Sequence, residues 1–404
     1  MEVLFKMAVK FARRLENAEG SAIREILKLA SNPEVISFAG GLPAPELFPV
    51  EEMKKVALAV LEEQGRAAMQ YSATDGFPPL REAIAERMNR KLYTNVTADS
   101  ILVTNGSQQC LDFMGRVFLD EGDKIIVESP SYLGALNAFK AYGPEFIEIP
   151  TDEDGMIMSE LEKALAANPD VKFIYVIPDF QNPSGRTWPI ERRKEFMEII
   201  NKYEIPVAED NPYGDLRIKG EAIPSIKSMD KDGLVMYSRT FSKILAPGIR
   251  VGYISAPKEI IGKIVVCKQV ADVHTNIWAQ MLAYNFMKDN DIEAHLASLR
   301  VIYKHKLELM IEQIEKNFSS QIKFTRPEGG LFIWCTLPEG SDMTGFCKKA
   351  VAEYKVAVVP GNAFMVSESD KTASFRLNFS TPTDKQIIDG CEKLGKLSKE
   401  MFGD

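Results

Sequence analysis

The chain has 404 residues, of which 45% are hydrophobic and 26% are charged, with a formal net charge of −8 at pH 7. This composition is typical of a globular protein with a large core and two domains. The acidic balance argues against nucleic acid as the main partner, and no apolar run reaches the length of a membrane span.

The N-terminal segment 1–14 alternates apolar and charged residues and lacks the uninterrupted apolar run of a secretory signal. The five cysteines are scattered, odd in number and free of any CxxC pair. They predict reduced thiols in a cytoplasmic protein. The three histidines show no ligand spacing, so we expect no metal site.

Short runs rich in isoleucine and valine alternate with helical segments between about residues 100 and 256. The runs are SILVT, DKIIVES, EFIEIP, KFIYVIP, IPVAED, GLVMYS and VGYISA. This alternation predicts an α/β domain whose mostly parallel, seven-stranded sheet is flanked by helices. From about residue 287, long charged helices and later strand patterns predict a smaller α+β domain. We therefore expect an N-terminal arm, 1–45, belonging to the small domain, a large domain, 46–286, and the small domain, 287–404.

Several predicted strands end in residues that suit a ligand, as expected at the carboxyl ends of a parallel sheet. Ser107 and Gln108 begin a helix after ILVTNG, where N–H groups attract phosphate, although taken alone a plain helix cap is the commoner explanation of such a start. Tyr132 follows DKIIVES and is either a stacking platform or a half-buried core residue. Asn182 precedes a proline, which restrains its backbone, although turn chemistry alone also accounts for it.

Two further strand ends carry charged groups. Asp210 closes the apolar run IPVAED, where a shielded carboxylate needs a cationic partner, and Tyr213 lies three residues later. Lys243 lies in SRTFSKILAPGIR, a segment rich in hydroxyls and cations. Shielding and nearby cations lower the pKa of a lysine and make its amine nucleophilic. Thr240, Ser242 and Arg250 of this segment suit a dianion, and Arg239 stays unassigned, with a surface ion pair as its simplest interpretation.

This inventory matches pyridoxal 5′-phosphate (PLP), which needs a ring platform, a carboxylate for its nitrogen, donors for its phenolic oxygen, an anion pocket and a lysine. The chain also contains the motifs YSATDGFPPLREAIA, NGSQQ, NPSG, EDNPYGDLR, FSKILAPGIRVGY and FRLNFS. On these motifs, nearly the whole chain resembles the PLP-dependent aminotransferases of fold type I, classes I and II.

The resemblance implies roles for the matching residues. Lys243 bonds to the cofactor's aldehyde and moves the proton from the substrate's Cα, while Asp210 pairs with the ring nitrogen. Arg376, in FRLNFS, binds the substrate's α-carboxylate in a two-pronged ion pair; the alternative, a surface pair, conflicts with its apolar strand. The resemblance also implies that Tyr132 stacks on the cofactor ring and that Asn182 and Tyr213 bind its phenolic oxygen. The implied phosphate ligands are Ser107, Gln108, Thr240, Ser242 and Arg250. Tyr71 would bind the cofactor phosphate of the partner subunit, which implies a homodimer with shared active sites. Thr240 departs from the serine often found in close relatives but keeps the hydroxyl.

The segment SAIREILKLASNPEVISFAGGLPAPELFP resembles the 2-aminoadipate/kynurenine aminotransferase branch. There an N-terminal helix closes over the substrate, and Gly41 and Asn182 lie beside it. Arg24 is then a candidate for a distal carboxylate, with an i,i+4 contact on its own helix as the equal alternative. The branch accepts aromatic, aliphatic and acidic donors. The implied reaction is ping-pong transfer of an amino group from an L-amino acid, such as 2-aminoadipate, to a 2-oxo acid such as 2-oxoglutarate.

Other functions remain as alternatives. Elimination, decarboxylation and 2-amino-ketone synthesis use the same Lys243 and Asp210, but Arg376 and the FAGGLP segment favour transamination. An aminotransferase-like effector domain of a transcription regulator is disfavoured, because the pattern begins by about residue 20 and the chain is acidic. A catalytically inactive scaffold is disfavoured by the complete set of site residues.

Overall fold

The computed structural model describes Asn32, residues 34–367 and residues 369–404. Arg24 and the predicted N-terminal helix that carries it lie outside the described residues. Within the described part of the chain, no helix combines the length and apolar character needed to cross a membrane. All five cysteines are free.

An eight-stranded sheet dominates the first two thirds of the chain, in the order β2-β9-β8-β7-β6-β3-β4-β5. Its strands are β2 (Ile101–Thr104), β3 (Lys124–Ser129), β4 (Glu145–Asp152), β5 (Gly155–Met156), β6 (Val171–Val176), β7 (Val207–Asp210), β8 (Val235–Thr240) and β9 (Gly252–Ser255). Strands β8, β7, β6, β3 and β4 run parallel to one another, β9 is antiparallel to both β2 and β8, and β5 is antiparallel to β4. The seven predicted strands are all present.

The eighth strand is the one that the sequence did not predict. Strand β5 has two residues and forms a hairpin on β4, with Thr151 opposite Met156. A two-residue strand carries no periodicity, so its only sequence signal is Gly155, which has a φ of +99° at the turn.

Helices cover both faces of the large sheet. The described helices are α1 (Val50–Ala68), α2 (Pro78–Leu92), α3 (Ser107–Phe118), α4 (Leu133–Lys140), α5 (Met158–Ala167), α6 (Ile190–Tyr203), α7 (Ile226–Met229), α8 (Lys258–Ala271), α9 (Ile277–Asp289), α10 (Ile292–Asn317), α11 (Met343–Ala352) and α12 (Asp384–Phe402). Helices α3, α4 and α8 form one core cluster with strand residues such as Ala208. Helices α5 and α6 form another with residues such as Val207, which explains why the strands are apolar on both faces.

A second, antiparallel sheet lies in the last third of the chain, in the order β10-β11-β14-β13. Its strands are β10 (Lys323–Phe324), β11 (Phe332–Thr336), β13 (Val359–Pro360) and β14 (Ser374–Asn378). Strand β1 (Ile36–Ser37) pairs in parallel with β12 (Val356–Ala357), so the start of the described chain contacts this C-terminal part. This pairing accords with an N-terminal arm on the small domain, while the division at residues 45 and 286 stays a prediction.

Candidate active site

The predicted site residues come from both sheets and from the segment after β1. Lys243 lies just beyond β8, half-buried, and its Nζ donates a hydrogen bond to the carbonyl of Gly41 at 2.7 Å. Burial lowers the pKa of Lys243, the positive charges of Arg376 and Arg250 act in the same direction, and the resulting pKa is about 8. The structure therefore supplies a lysine that loses its proton near neutral pH, next to a backbone carbonyl of the FAGGLP segment.

Asp210 ends β7 and is 2% exposed. Its oxygens accept hydrogen bonds from Ser238 Oγ at 2.8 Å and from the Tyr175 hydroxyl at 3.1 Å. Burial raises the pKa of Asp210 to about 6, and the two hydrogen bonds oppose that rise. Among the residues that the structure describes, no cation pairs with this carboxylate, so the site has room for a positively charged partner.

Ser238 and Tyr175 were not predicted from the sequence. Ser238 lies directly opposite Asp210 in the β7–β8 register. A hydroxyl inside an apolar strand was the available signal for Ser238. Tyr175 lies on β6, two strands away from Ser238, and nothing in the sequence connects it with Asp210.

Arg376 lies on β14 and is 6% exposed. One guanidinium nitrogen donates to Asn182 Oδ1 at 2.7 Å and another to the carbonyl of Ala39 at 2.9 Å. The rings of Phe332 and Phe364 lie 4.2 and 4.9 Å from its guanidinium carbon. Burial lowers the pKa of Arg376 to about 10, and its Nε has no hydrogen-bond partner among the described residues. All its partners are neutral, so this buried cation is suited to an added carboxylate.

An anion cradle forms where α3 begins. Gly106 precedes Ser107, the first residue of α3, with a φ of +77°. A Cβ at Gly106 would lie 2.9 Å from Arg250 Cζ, so only glycine lets the guanidinium approach the helix start. Arg250 donates to Ser242 Oγ at 3.4 Å, and Thr240 Oγ1 donates to the same hydroxyl at 2.8 Å. The fold therefore brings Thr240, Ser242 and Arg250 to the start of α3, where Ser107 lies.

The aromatic residues Tyr132 and Tyr213 lie close to these charged groups. The hydroxyl of Tyr132 is 3.5 Å from Gln108 Oε1, while Gln108 Nε2 donates to a backbone carbonyl of α4 at 2.6 Å. Tyr213 is 4% exposed and packs edge-to-face on Phe332, with ring centroids 5.7 Å apart. Burial raises the pKa of Tyr213, and the neighbouring Tyr132 and Asp210 act in the same direction. A hydrogen bond with the Asn182 side chain opposes the rise.

Two residues do not follow this arrangement. Tyr71 is 82% exposed, and its ring meets His274 at 5.8 Å, apart from the site of its own chain. The expectation of a surface ion pair for Arg239 is wrong. Arg239 is 2% exposed and pairs with Asp215, which also accepts a hydrogen bond from Arg87 at 3.0 Å. The sequence could not show that Asp215, on the loop after Tyr213, would meet Arg239 inside the protein.

Comparisons with known proteins agree with this geometry. The family model of aminotransferase class I and II matches residues 34–394. The chain is 43% identical over 394 residues to an aromatic-amino-acid aminotransferase of Thermococcus litoralis, covering 96% of this chain and 94% of the relative. A solved kynurenine aminotransferase of Pyrococcus horikoshii, in complex with PMP, is 39% identical, with 97% of each chain covered and a TM-score of 0.93.

An α-aminoadipate aminotransferase of Thermus thermophilus, solved with N-(5′-phosphopyridoxyl)-L-leucine, is 36% identical. The match covers 97% of each chain with a TM-score of 0.89. The family-model match, residues 34–394, spans both sheets and the positions of the described site residues from Gly41 to Arg376. The chain therefore belongs to the class I and II aminotransferase family.

Proposed function

We propose that this aminotransferase binds PLP and transfers the amino group of an L-amino acid to a 2-oxo acid in a ping-pong cycle. The observation that carries the proposal is the pair of buried, opposite charges on Asp210 and Arg376. Neither forms an ion pair with a residue that the structure describes. Uncompensated buried charges are costly. A protonated ring nitrogen on Asp210 and an amino-acid carboxylate on Arg376 would compensate both.

The residues present fit the cofactor. The start of α3 and the hydroxyls beside Arg250 offer the donors that a phosphate dianion needs. We assign Ser107, Gln108, Thr240, Ser242 and Arg250 to the phosphate, Tyr132 to the ring, and Asn182 and Tyr213 to the phenolic oxygen. The close approach of Gly106 to Arg250 supports this cradle, because a side chain there would separate its two halves.

When bound, PLP supplies an aldehyde for the amino group and a ring that withdraws electrons from the substrate's Cα. Lys243 acts as nucleophile and then carries the proton, since its pKa of about 8 lets Nζ both release and accept one near neutral pH. Asp210 keeps the ring nitrogen protonated, because a cationic partner lowers the pKa of a buried carboxyl and holds it ionised. Arg376 orients the substrate by its α-carboxylate. We also assign Asn182, which accepts a hydrogen bond from Arg376, and Gly41, whose carbonyl accepts one from Lys243, to substrate binding.

We further propose 2-aminoadipate, aromatic or aliphatic amino acids as donors and 2-oxoglutarate as the acceptor. The names of the relatives support this range, since they act on aromatic amino acids, kynurenine and α-aminoadipate. Arg24 stays a proposed ligand for a distal carboxylate. We also propose a cytoplasmic homodimer in which the exposed Tyr71 reaches the cofactor phosphate of the partner subunit. A native mass of twice the 45.2 kDa chain would support the dimer.

The test starts with an absorbance spectrum of the protein mixed with PLP. We expect the visible band of covalently bound cofactor, which Lys243→Ala should abolish together with turnover. Adding 2-aminoadipate, kynurenine, leucine, phenylalanine or glutamate should convert the band to that of the pyridoxamine form. Full turnover by Lys243→Ala would refute the assignment of the nucleophile. A band that no amino acid converts would favour another PLP reaction.

A further inference from the structure

Glu128 is a buried carboxylate for which the proposed reaction has no direct use. It lies next to the last residue of β3 and is 1% exposed. Its oxygens accept hydrogen bonds from Ile177 N at 3.2 Å, Gln181 Nε2 at 3.3 Å and Trp188 Nε1 at 3.1 Å. Burial raises the pKa of Glu128 to about 7, while these donors and the charge of Arg186 oppose the rise.

Gln181 connects Glu128 to two other segments. Its Nε2 also donates to the carbonyl of Pro130 at 2.7 Å, two residues before Tyr132. Its Oε1 accepts from Ser184 N at 3.0 Å and Ser184 Oγ at 2.6 Å, which closes the turn that holds Asn182. One amide side chain therefore contacts the segment leading to the ring platform and the turn that carries the partner of Arg376.

The three donors explain why a carboxylate is buried at position 128. An apolar side chain of similar volume would avoid the desolvation of a carboxylate but would leave three buried donors without their acceptor. A buried acceptor is justified when three fixed donors must be held in one arrangement, because each donor would otherwise stay unsatisfied. Here the donors are Ile177, just after β6, Gln181 in the Asn182 turn, and Trp188, two residues before α6. By binding all three, Glu128 fixes the turn.

We propose that Glu128 and Gln181 are positioning residues that hold Asn182 against Arg376 and hold the segment before Tyr132. The carboxylate-binding side and the ring-binding side of the site are then both held by the buried pair Glu128 and Gln181, which we call the anchor. Movement of this anchor would alter substrate binding and cofactor binding together. This inference rests on the proposed function, because it gives Asn182, Arg376 and Tyr132 their roles in the site.

The chain offers a matched control. Glu209, on β7, is 0% exposed, and burial raises its pKa to about 7 as well. It lies on the same face of the sheet as Glu128. It accepts its hydrogen bonds from Ile226 N and Lys227 N at the start of α7 and not from the Asn182 turn. Glu209→Gln therefore reproduces the loss of a buried carboxylate without touching the anchor.

The experiment compares Glu128→Gln with Glu209→Gln. A glutamine at 128 keeps one acceptor oxygen and adds an amide that faces donors, so part of the anchor is lost at constant volume. Both variants should lower the melting temperature. Only Glu128→Gln should raise the KM for the amino acid, by about tenfold, the effect of losing one hydrogen bond to a charged group. The same variant should weaken PLP binding to the apoprotein, measured by quenching of tryptophan fluorescence, by a similar factor.

Gln181→Met is the second variant, since it keeps the volume and leaves Glu128 bonded to Ile177 and Trp188. It should reproduce the rise in KM and the weaker PLP binding. Wild-type KM and PLP affinity in both Glu128→Gln and Gln181→Met would overturn the inference, as would equal effects in Glu209→Gln. A wild-type protein that binds PLP but transfers no amino group would instead refute the proposed function, and the affinity comparison would still test the anchor.

Discussion

Replacing Asp215 by asparagine should destabilise the protein through two buried arginines. Asp215 accepts from Arg87 at 3.0 Å and pairs with Arg239, and the side chains of these arginines are only 9% and 3% exposed. The two cations hold the pKa of Asp215 at about 2 despite its burial. Arg87 keeps a second partner in Glu293 at 3.2 Å, so the variant leaves Arg239 as the uncompensated charge.

The expected loss follows from that arrangement. Breaking a buried ion pair by removing one partner costs about 3–5 kcal/mol. A chain of 404 residues has an unfolding entropy near ~0.85 kcal/mol/K, from roughly 2.1 cal/mol/K per residue. The melting temperature of Asp215→Asn should therefore fall by about 4–6 °C at pH 7.

Differential scanning calorimetry at fixed protein and cofactor concentration measures this shift. Asp170→Asn is the control, because Asp170 pairs with Lys124 at 3.1 Å on the surface, where solvent screening leaves such a pair little effect on stability. The pKa of Asp215 is lower in the folded protein than the ordinary 3.8, so its contribution is present above pH 3.8 and is lost as the pH falls towards 2. The difference between wild type and variant should shrink in that window. Equal melting temperatures for Asp215→Asn and Asp170→Asn at pH 7 would refute the reasoning.

Two further predictions concern Lys243 and the phosphate cradle at the start of α3. The rate at which the apoprotein captures PLP should rise with pH, with a midpoint at about pH 8, because only neutral Lys243 is nucleophilic. Arg376→Met should move that midpoint to higher pH, since it removes a positive charge that lowers the lysine's pKa; an unchanged midpoint in stopped-flow absorbance would contradict this. Gly106→Ala should weaken PLP binding at least tenfold, because its Cβ would displace Arg250 and strain a φ of +77°. Equilibrium titration checks this, with Gly262→Ala, where a Cβ meets nothing, as the control.

The sequence predicted the architecture well because strand and helix patterns are local. Each of the seven apolar runs is a strand of the large sheet, and the predicted site residues that follow β2, β3, β6, β7 and β8 lie at the same edge of that sheet. Contacts between distant segments were out of reach. The stacking of Phe332 and Phe364 on Arg376 joins three separate elements of the chain. No spacing in the sequence connects them.

The burial of charged side chains is the other feature that the sequence does not predict. Arg239 was interpreted as a surface residue because arginines are mostly exposed and its anion is distant in the sequence. Glu128 was overlooked for the same reason, although the apolar run around it was recognised as a strand. In both cases a charged residue lies inside an apolar strand. That pattern indicates a buried side chain with a partner on another element.

The antiparallel direction of β9 places Lys243 and Arg250 in one short connection of the chain. Because β8 and β9 are antiparallel neighbours, the connection 241–251 starts and returns at one sheet edge and carries Lys243, with Arg250 beside it. Arg376, by contrast, belongs to the other sheet. Two of the proposed ligands of the phosphate, Ser242 and Arg250, therefore come from one short connection in the large sheet, whereas the proposed ligand of the substrate's carboxylate comes from the small sheet. A substitution in the connection 241–251 can alter the phosphate cradle without changing the strand that carries Arg376.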